Sequence, residues 1–547
     1  MIKKIFLLLT PFFLIQFFFS PSAEAKLSLE QRLADANDLI HLFEQRYAPF
    51  PWKENTLGLS AVTMADRLLQ EARDANSDED LYEAFIHYMS TLQDAHVSWS
   101  LPSTRIVRLP LQMEYYPQKL FITEINRDLL PKEHFPFEEG DEVLSVDGVP
   151  ALEALENLER YVHLGNKLAT LKIAALFLSV RPQSIFPFLS ENPVELEVYS
   201  PQRRAKQKFL LPWKVEGYTL AEQTIPSRDD FQKQSFALAS LLPESANPYR
   251  KESFFPLWDS FVERKKLPFQ TGIFTQDGMS IGYLRLDTWK IERRDRAEKA
   301  LAALAHELQY LSLHTDALVL DQTNNPGGNT CFVERAAGLF LQEPAPSMLF
   351  SLRATRTWLQ DFESDLISLE QSDDKELDEL KALFRIYTKT IRAALKDGAF
   401  LTNAMPLCNP YGEILPYLDR ETGEQLTYNK PVVLLVNELS CSGGDMFPAL
   451  LQDAGRVKVF GENTMGCGGN VVEEQQFGFS ELTVRYTASL MVRPKAVQLP
   501  SGNMARYIEN VGVIPDIPYH LGAEDYQEEF KSYKDAIVEA VKQELKK

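Results

Sequence analysis

The sequence predicts an α/β protein of several domains, and three features of its 547 residues lead to that prediction. Buried-type apolar strands alternate with helices in residues 276–547, a pattern typical of a mostly parallel sheet. Helical spacing of apolar residues dominates residues 26–104. Strand-like runs separated by turns dominate residues 105–200. The length exceeds what one hydrophobic core usually serves, so two or three domains are expected.

The amino terminus has the three-part pattern of a secretory signal. Lys3 and Lys4 precede an apolar run over residues 5–19, and the small-x-small sequence Ala23-Glu24-Ala25 follows. This order is typical of a cleaved signal peptide, whereas the run is short for a membrane-spanning helix. We therefore expect residues 1–25 to be removed and the mature chain to be extracytoplasmic, in the periplasm, the medium or a host cell.

The charge balance bears on the partners of the mature chain. Removing residues 1–25 takes away two lysines and one glutamate, so the formal net charge goes from −20 to −21. Such an acidic chain has no basic surplus with which to displace counterions, which argues against nucleic acid as a partner. No later stretch approaches eighteen apolar residues, so no membrane span is expected in the mature chain.

Four cysteines, Cys331, Cys408, Cys441 and Cys467, are too few for a disulfide scaffold in so long a chain. Export permits one or two bridges, but their pairing is open. The lack of CxxC and HExxH patterns argues against zinc, and no motif indicates a cofactor. Cys441 is interpreted as a packed thiol, with redox control through Cys441 and Cys467 as an open alternative.

The helical amino-terminal part, residues 26–104, carries the first candidate for chemistry. An apolar-patterned run over residues 78–92 ends just before Asp94-Ala95-His96. Among eight histidines, His96 has the context that suits a general base, because it lies past a helix and beside Asp94. A surface or capping histidine is the alternative.

Residues 105–200 read as a separate domain. The string over residues 140–148, a strand with a turn at each end, resembles the signature of PDZ domains, and a generic hairpin is the alternative. Pro110 lies near the loop that would capture a peptide carboxylate and has no N–H to donate, which argues against tail capture. Residues 201–275 lack a clear period and are interpreted as a linker or processing segment.

Two buried-type strands in residues 276–547 end in loops of small and polar residues. Residues 317–321 lead into a loop with Gly327 and Gly328, and residues 431–436 lead into a loop with Ser442 and Gly443. In open α/β sheets, sites form at the carboxyl ends of the strands. The two loops are therefore expected to contribute to one site.

Ser442 lies between a strand and the start of a helix, where a side chain is presented at the sheet edge. The helix amino terminus adds partial positive charge beside a developing oxyanion. The N–H of Gly443 is one candidate oxyanion donor, and that of Gly327 or Gly328 is the second. Helix capping by Ser442 and a tight glycine turn are the alternatives.

Five motifs occur in the order found in the C-terminal processing, or tail-specific, serine protease family, which the chain resembles over nearly its whole mature length. They are residues 94–96, 325–328, 436–453, 461–466 and 512–516. The resemblance implies a crotonase-like or ClpP-like catalytic domain over residues 276–547, preceded by the helical part and the PDZ-like domain. It implies an endopeptidase that acts on proteins or peptides.

Many members of that family use a serine–lysine dyad with the lysine between two glycines, but Cys467 stands at that place here. Resemblance to members with a Ser–His–Glu triad implies Ser442 as nucleophile, His96 as base and Glu509 as the group that orients it. Only the resemblance selects Glu509 among 77 acidic residues. It also implies a homodimer made as a zymogen, and residues 228–270 are the candidate for the inhibitory, self-cleaved segment.

Two other functions remain open from the sequence. One is a binding or carrier protein on the same fold with a degenerate site, although the serine, histidine and glutamate are all present. The other is an acyl-CoA enzyme of the crotonase type, which export disfavours because CoA is an intracellular cofactor.

Overall fold

The computed structural model describes residues 27–220, 253–265, 269–291, 294–499 and 501–547. The predicted signal peptide and most of residues 228–270 lie outside these ranges. Within them, no helix combines the length and the apolarity that crossing a bilayer requires.

Helices dominate the first hundred residues, as predicted, and return between the later strands. Ser28, Ser60 and Ser77 cap three of the early helices, each side chain accepting an N–H from the first turn. In chain order the helices are α1 Leu29–Arg46, α2 Phe50–Leu57, α3 Ala61–Asp74, α4 Asp78–Ser90, α5 Ala151–Leu158, α6 Lys167–Ser179, α7 Arg294–His314, α8 Thr330–Ala337, α9 Arg356–Glu370, α10 Asp378–Lys396, α11 Gly443–Asp453, α12 Ala523–Gln527 and α13 Lys531–Leu545.

The strands fall into several sheets. In chain order they are β1 Ser98–Ser100, β2 Ile106–Arg108, β3 Leu111–Tyr116, β4 Lys119–Ile125, β5 Glu142–Val146, β6 Val149–Pro150, β7 Val180–Pro182, β8 Val194–Ser200, β9 Ala205–Leu211, β10 Lys214–Glu216, β11 Val262–Lys265, β12 Gln270–Gln276, β13 Met279–Arg285, β14 Ala317–Asp321, β15 Ala345–Pro346, β16 Leu349–Leu352, β17 Met405–Pro406, β18 Glu413–Ile414, β19 Val432–Val436, β20 Lys458–Gly461, β21 Val471–Gln476, β22 Thr483–Thr487, β23 Ser489–Gln498, β24 Met504–Tyr507 and β25 Ile517–Pro518.

A seven-stranded sheet organises the carboxyl-terminal half, in the order β11–β12–β13–β14–β19–β20–β25. The run from β13 to β25 is parallel, and β12 and β11 extend it antiparallel at one edge. The wholly apolar runs of β14 and β19 are buried along their length in the middle of this sheet. The α/β prediction is confirmed because strands buried on both faces lose the period-two alternation and read as continuous apolar runs.

An antiparallel sheet in the order β3–β4–β5–β8–β9 forms the second domain, with β6 paired to β5. Its strands β9 and β10 lie beyond residue 200, the boundary expected from the sequence, and they pair with β8 and β2. The first four residues of β9 are all exposed. An edge strand with so little alternation gives no strand signal in the sequence.

The helical amino-terminal part packs directly against the carboxyl-terminal half. Strand β1 pairs with β22, which places Ser98 opposite Arg485, and the N–H of Ala48 donates to the carbonyl of Thr487 at 2.9 Å. One apolar cluster includes side chains from α1 to α4 together with Cys441, Cys467 and β22. This shared core carries the loop after α4, with His96, to the edge of the central sheet.

Candidate active site

Ser442 lies on a sharp turn between β19 and α11. Its backbone has φ 59° and ψ −112°, a conformation that is unusual and costly for a residue with a side chain. Its N–H donates to Oδ2 of Asp445 at 2.6 Å. The first turn of α11 therefore holds its own amino-terminal residue in the strained conformation that exposes the serine at the sheet edge.

Asp445 also fixes the loop that follows β20. It is fully buried, and its carboxylate accepts the hydroxyl of Thr464 and the N–H groups of Gly466 and Cys467, the latter two at 2.9 and 3.0 Å. Burial raises the pKa of Asp445 to about 6, against the four hydrogen bonds that favour the charged form. One carboxylate thus connects Ser442 with the segment around Cys467.

The loops after β14 and β19 are joined by hydrogen bonds, as the sequence predicted from their shared position at the sheet edge. The carbonyl of Asn325 accepts the N–H of Cys441 at 2.9 Å, and Oδ1 of Asn437 accepts the N–H of Asn324 at 2.8 Å. A Cβ on Gly444 would lie 2.4 Å from the carbonyl oxygen of Asn325. Glycine is therefore required at 444 for the two loops to approach.

The N–H groups near Ser442 distinguish the two glycines that the sequence left open. That of Gly327 donates to Oδ1 of Asn325 at 2.8 Å and is used within its loop. Those of Gly328 and Gly443 donate to no acceptor among the described residues, and a Cβ on Gly443 would lie 3.2 Å from the nitrogen of Gly328. Gly328 and Gly443 therefore offer two neighbouring free donors beside Ser442, the arrangement an oxyanion requires.

His96 lies on the loop after α4 and faces the same cavity as Ser442. Its backbone N–H donates to Oδ1 of Asp94 at 2.8 Å, and Oδ2 of Asp94 accepts the hydroxyls of Tyr47 and Thr487. Burial lowers the pKa of His96, Asp94 opposes this, and the nearby Arg485 adds to it. A neutral imidazole at neutral pH can accept a proton from a serine hydroxyl.

The cavity shared by Ser442 and His96 has a volume of about 620 Å³. Gly328 and Cys441 form part of its wall. Apolar side chains line much of the rest, namely Met89, Trp99, Ile173, Phe177, Met465 and Met491. The lysine among its lining residues is Lys290, which is exposed. This volume lies within the range of known ligand-binding sites.

Glu509 is fully buried in a cluster of charged side chains, and it is not among the residues that line the cavity. Its Oε2 accepts the N–H of Gly468 at 3.0 Å, and its Oε1 pairs with the ammonium of Lys53. Burial first, and then the charge of Asp94, raises the pKa of Glu509 to about 7, while Lys53 opposes the rise. Nδ1 of His96 is buried and has no hydrogen-bond partner among the described residues.

Two disulfides account for all four cysteines, and the interpretation of Cys441 as a packed free thiol is wrong. Cys441 is bonded to Cys467 with their Cα atoms 5.4 Å apart, and Cys331 is bonded to Cys408 with Cα atoms 5.1 Å apart. Asp445 brings the first pair together by holding both segments. Sequence spacing carries no information on this, because the pairing depends on distances that arise only on folding.

These sulfurs do not form a metal centre. Among the described residues, Cys441, Asp445 and Cys467 bring three possible metal-ligand atoms within 4.8 Å of one another. The two sulfurs are bonded to each other, and the carboxylate already accepts four hydrogen bonds.

Sequence reasoning missed Lys53 and Asp445. Lys53 lies in no motif, Asp445 lies within the motif of residues 436–453 without being singled out there, and each gains its role from segments that are distant in sequence. A carboxylate three residues after Ser442, in the first helical turn, is a weak signal that capping rules could have supplied for Asp445.

Residues 280–519 match the family model of peptidase family S41, and residues 105–226 match that of a PDZ domain. The chain therefore carries a PDZ domain and a peptidase S41 domain, which makes it a serine-type peptidase and agrees with the tail-specific protease family. This confirms the family and the fold class that the ordered motifs predicted.

The relatives extend the likeness over most of the chain. A protein of Chlamydia pneumoniae is 24% identical over 586 residues, covering 93% of this chain and 90% of the relative, and one of Chlamydia trachomatis serovar D is 24% identical over 589 residues, covering 95% and 93%. The structure of mature CPAF complexed with lactacystin has a TM-score of 0.77 at 23% identity and covers 95% of this chain and 99% of that chain. At this identity the structural match establishes a common fold.

Proposed function

We propose that this protein is an exported endopeptidase that hydrolyses peptide bonds through an acyl-enzyme, with Ser442 as nucleophile, His96 as general base and Glu509 as the group that orients it. The observation that carries the proposal is the meeting of Ser442 and His96 at one cavity beside two unused N–H groups. These are the parts that acyl transfer needs: nucleophile, base and oxyanion donors.

The proposed reaction follows from these positions. The hydroxyl oxygen of Ser442 attacks the peptide carbonyl while His96 takes its proton, and the N–H groups of Gly328 and Gly443 bind the oxyanion. His96 then protonates the leaving amine, the C–N bond breaks, and the acyl-enzyme forms. Water, deprotonated by His96, hydrolyses the ester and returns Ser442 to its initial state.

Export, a self-cleaved precursor and a homodimer are part of the same proposal. The basic, apolar and small-residue order of residues 1–25 supports export. Residues 228–270 are the proposed inhibitory segment, because they follow the PDZ domain and their sequence lacks a periodic pattern; the end of this range, β11, is an edge strand of the central sheet. A related solved structure is that of mature CPAF, and a mature form is what such processing would produce.

Paired expression of the mature chain, as wild type and Ser442→Ala, tests the proposal. The wild type should cleave casein and itself, and its serine should react with a fluorophosphonate probe and with lactacystin. Ser442→Ala should do none of these. If both folded chains remain intact, inert and unlabelled, the binding-protein alternative takes precedence.

The base is tested separately, because Lys290 also lines the cavity. His96→Ala should lower kcat by orders of magnitude, since only oxyanion and binding effects then remain. Lys290→Met is the matched comparison, and a larger loss in Lys290→Met than in His96→Ala would indicate a serine–lysine dyad instead.

A further inference from the structure

Lys53, in α2, is a charged side chain with no exposed surface. Its ammonium contacts Oε1 of Glu509, the carbonyl of Gln93 at 2.9 Å and Oδ1 of Asn510 at 2.6 Å. These three acceptors match the three N–H bonds that an ammonium can offer. A buried lysine is tolerated only when it is paired and hydrogen-bonded in this way.

These contacts join the segment of Glu509 to the segment of His96. Gln93 lies three residues before His96, and its carbonyl accepts both from Lys53 and from Nδ2 of Asn510 at 2.8 Å. The indole N–H of Trp52, the neighbour of Lys53, donates to the carbonyl of Glu509 at 2.9 Å. Helix α2 therefore holds the backbone and the carboxylate of Glu509 against the loop that carries the proposed base.

The charges around Glu509 come from several elements. Lys53 on α2 is the cation, and Asp94 after α4 is a second carboxylate. Burial, and then the charges of Asp94 and Glu509, raise the pKa of Tyr47 after α1. His96 faces Asp94, Arg485 of β22 and Lys53. The charge of Asp94 raises the pKa of Glu509, and the cation Lys53 opposes that rise.

We propose that Lys53 is a positioning residue of the active site: its buried ammonium favours the ionised form of the Glu509 carboxylate and holds it in one orientation, against the loop that carries His96. This rests on the proposed function of Ser442 and His96. Lys53 does not contact the substrate, since it lies outside the cavity.

The test compares wild type with Lys53→Gln in the mature chain. Loss of the cation raises the pKa of Glu509 further above its value of about 7, so a smaller fraction of the carboxylate is ionised at neutral pH. We expect kcat/KM at pH 7 to fall about 10- to 100-fold, mainly through kcat. We also expect activity to recover as the pH is raised, because the acid limb of the profile moves to higher pH. Lys53→Arg should restore part of the loss.

A double-mutant cycle distinguishes loss of the Lys53–Glu509 interaction from a general loss of folded protein. Lys53→Met combined with Glu509→Gln takes away both buried charges, and it should be no less active than Glu509→Gln alone. Arg493→Gln is the matched control, because it breaks another buried ion pair, with Asp453, at the far end of α11; it should destabilise the chain without moving the pH profile. An unmoved acid limb in Lys53→Gln, a rise in activity, or additive losses in the cycle would each overturn the proposal.

One readout is independent of activity. In protein labelled with ¹³C at the glutamate carboxyl, the Glu509 resonance is identified by its loss in Glu509→Gln and titrated with and without Lys53. A higher midpoint in Lys53→Gln supports the proposal, and an unchanged midpoint contradicts it. A wild type that is inert towards substrate and probe would instead refute the proposed function, whatever this titration gives.

Discussion

Asp445 shows how one side chain can hold two segments of the candidate site together without lining its cavity. It accepts four hydrogen bonds from residues that lie up to 22 positions away. Three of the donors are backbone N–H groups, so the carboxylate holds the main chain at Ser442 and in the loop with Gly466 and Cys467. At this scale the sequence predicted Ser442, His96 and Gly443 from local context. It could not predict Lys53 or Asp445, because their partners come from other segments.

Asp445→Asn should damage both stability and activity. An amide has one acceptor oxygen and an NH₂ that would face N–H donors, so at least one buried donor loses its partner. We expect a loss of about 3 kcal/mol in the free energy of unfolding and at least a tenfold lower kcat. Urea unfolding and peptide hydrolysis measure these quantities.

Asp35→Asn is the control for that substitution. Asp35 is also buried and accepts the N–H groups of Phe479 and Ser480, but it does not line the cavity. It should lose stability with little change in kcat. Equal losses of kcat in the two variants would mean that Asp445 acts on the fold alone.

At the scale of elements, the site is a pair of strand-to-helix loops fastened to a third segment. The disulfide between Cys441 and Cys467 joins the turn before α11 to the segment whose Gly468 donates to Glu509. The strands and helices that present these loops were predicted from apolar patterning. The disulfide was not predicted. It lies beside Ser442, the proposed nucleophile, and gives the alternative of redox control through the two cysteines a physical basis.

Replacing Cys441 and Cys467 together with serine should lower the free energy of unfolding by about 2–4 kcal/mol and lower kcat, because the Ser442 turn loses its tie to the Glu509 segment. The measurements are denaturant unfolding and peptide hydrolysis. The Cys331 and Cys408 double replacement is the matched control: its positions are 77 apart in sequence, against 26 for the first pair. It should cost at least as much stability but less activity. The reverse order of activity losses would contradict the assignment.

For the whole molecule, the main feature is that the proposed base and nucleophile come from parts of the chain more than 300 residues apart and share one core. Thr487 sits at this junction. It is fully buried, its hydroxyl donates to Asp94 at 2.9 Å, and its carbonyl accepts the N–H of Ala48. The helical part and the sheet should therefore unfold as one cooperative unit.

Thr487→Val tests this junction, because it removes the hydroxyl at nearly constant volume. We expect a loss of about 1–3 kcal/mol, lower kcat, and a single transition in calorimetry that shifts as a whole. Thr483→Val, on the same strand and also buried, removes a hydroxyl that does not bond Asp94 and should affect kcat less. An amino-terminal part that melts separately, before the rest, would contradict the shared core.

The sequence by itself determined the family, the α/β class, and the serine and histidine candidates, because apolar periodicity and ordered motifs are local properties of the chain. It left open which glycine N–H is free, how the cysteines pair and what holds Glu509. The tertiary structure decided these points: Gly327 is used by Asn325, Asp445 draws Cys441 and Cys467 together, and Lys53 reaches Glu509 across 456 positions. The last two depend on distances between remote segments, which exist only once the shared core has formed, whereas the bond between Asn325 and Gly327 is local and depends on a side-chain conformation that the sequence does not specify.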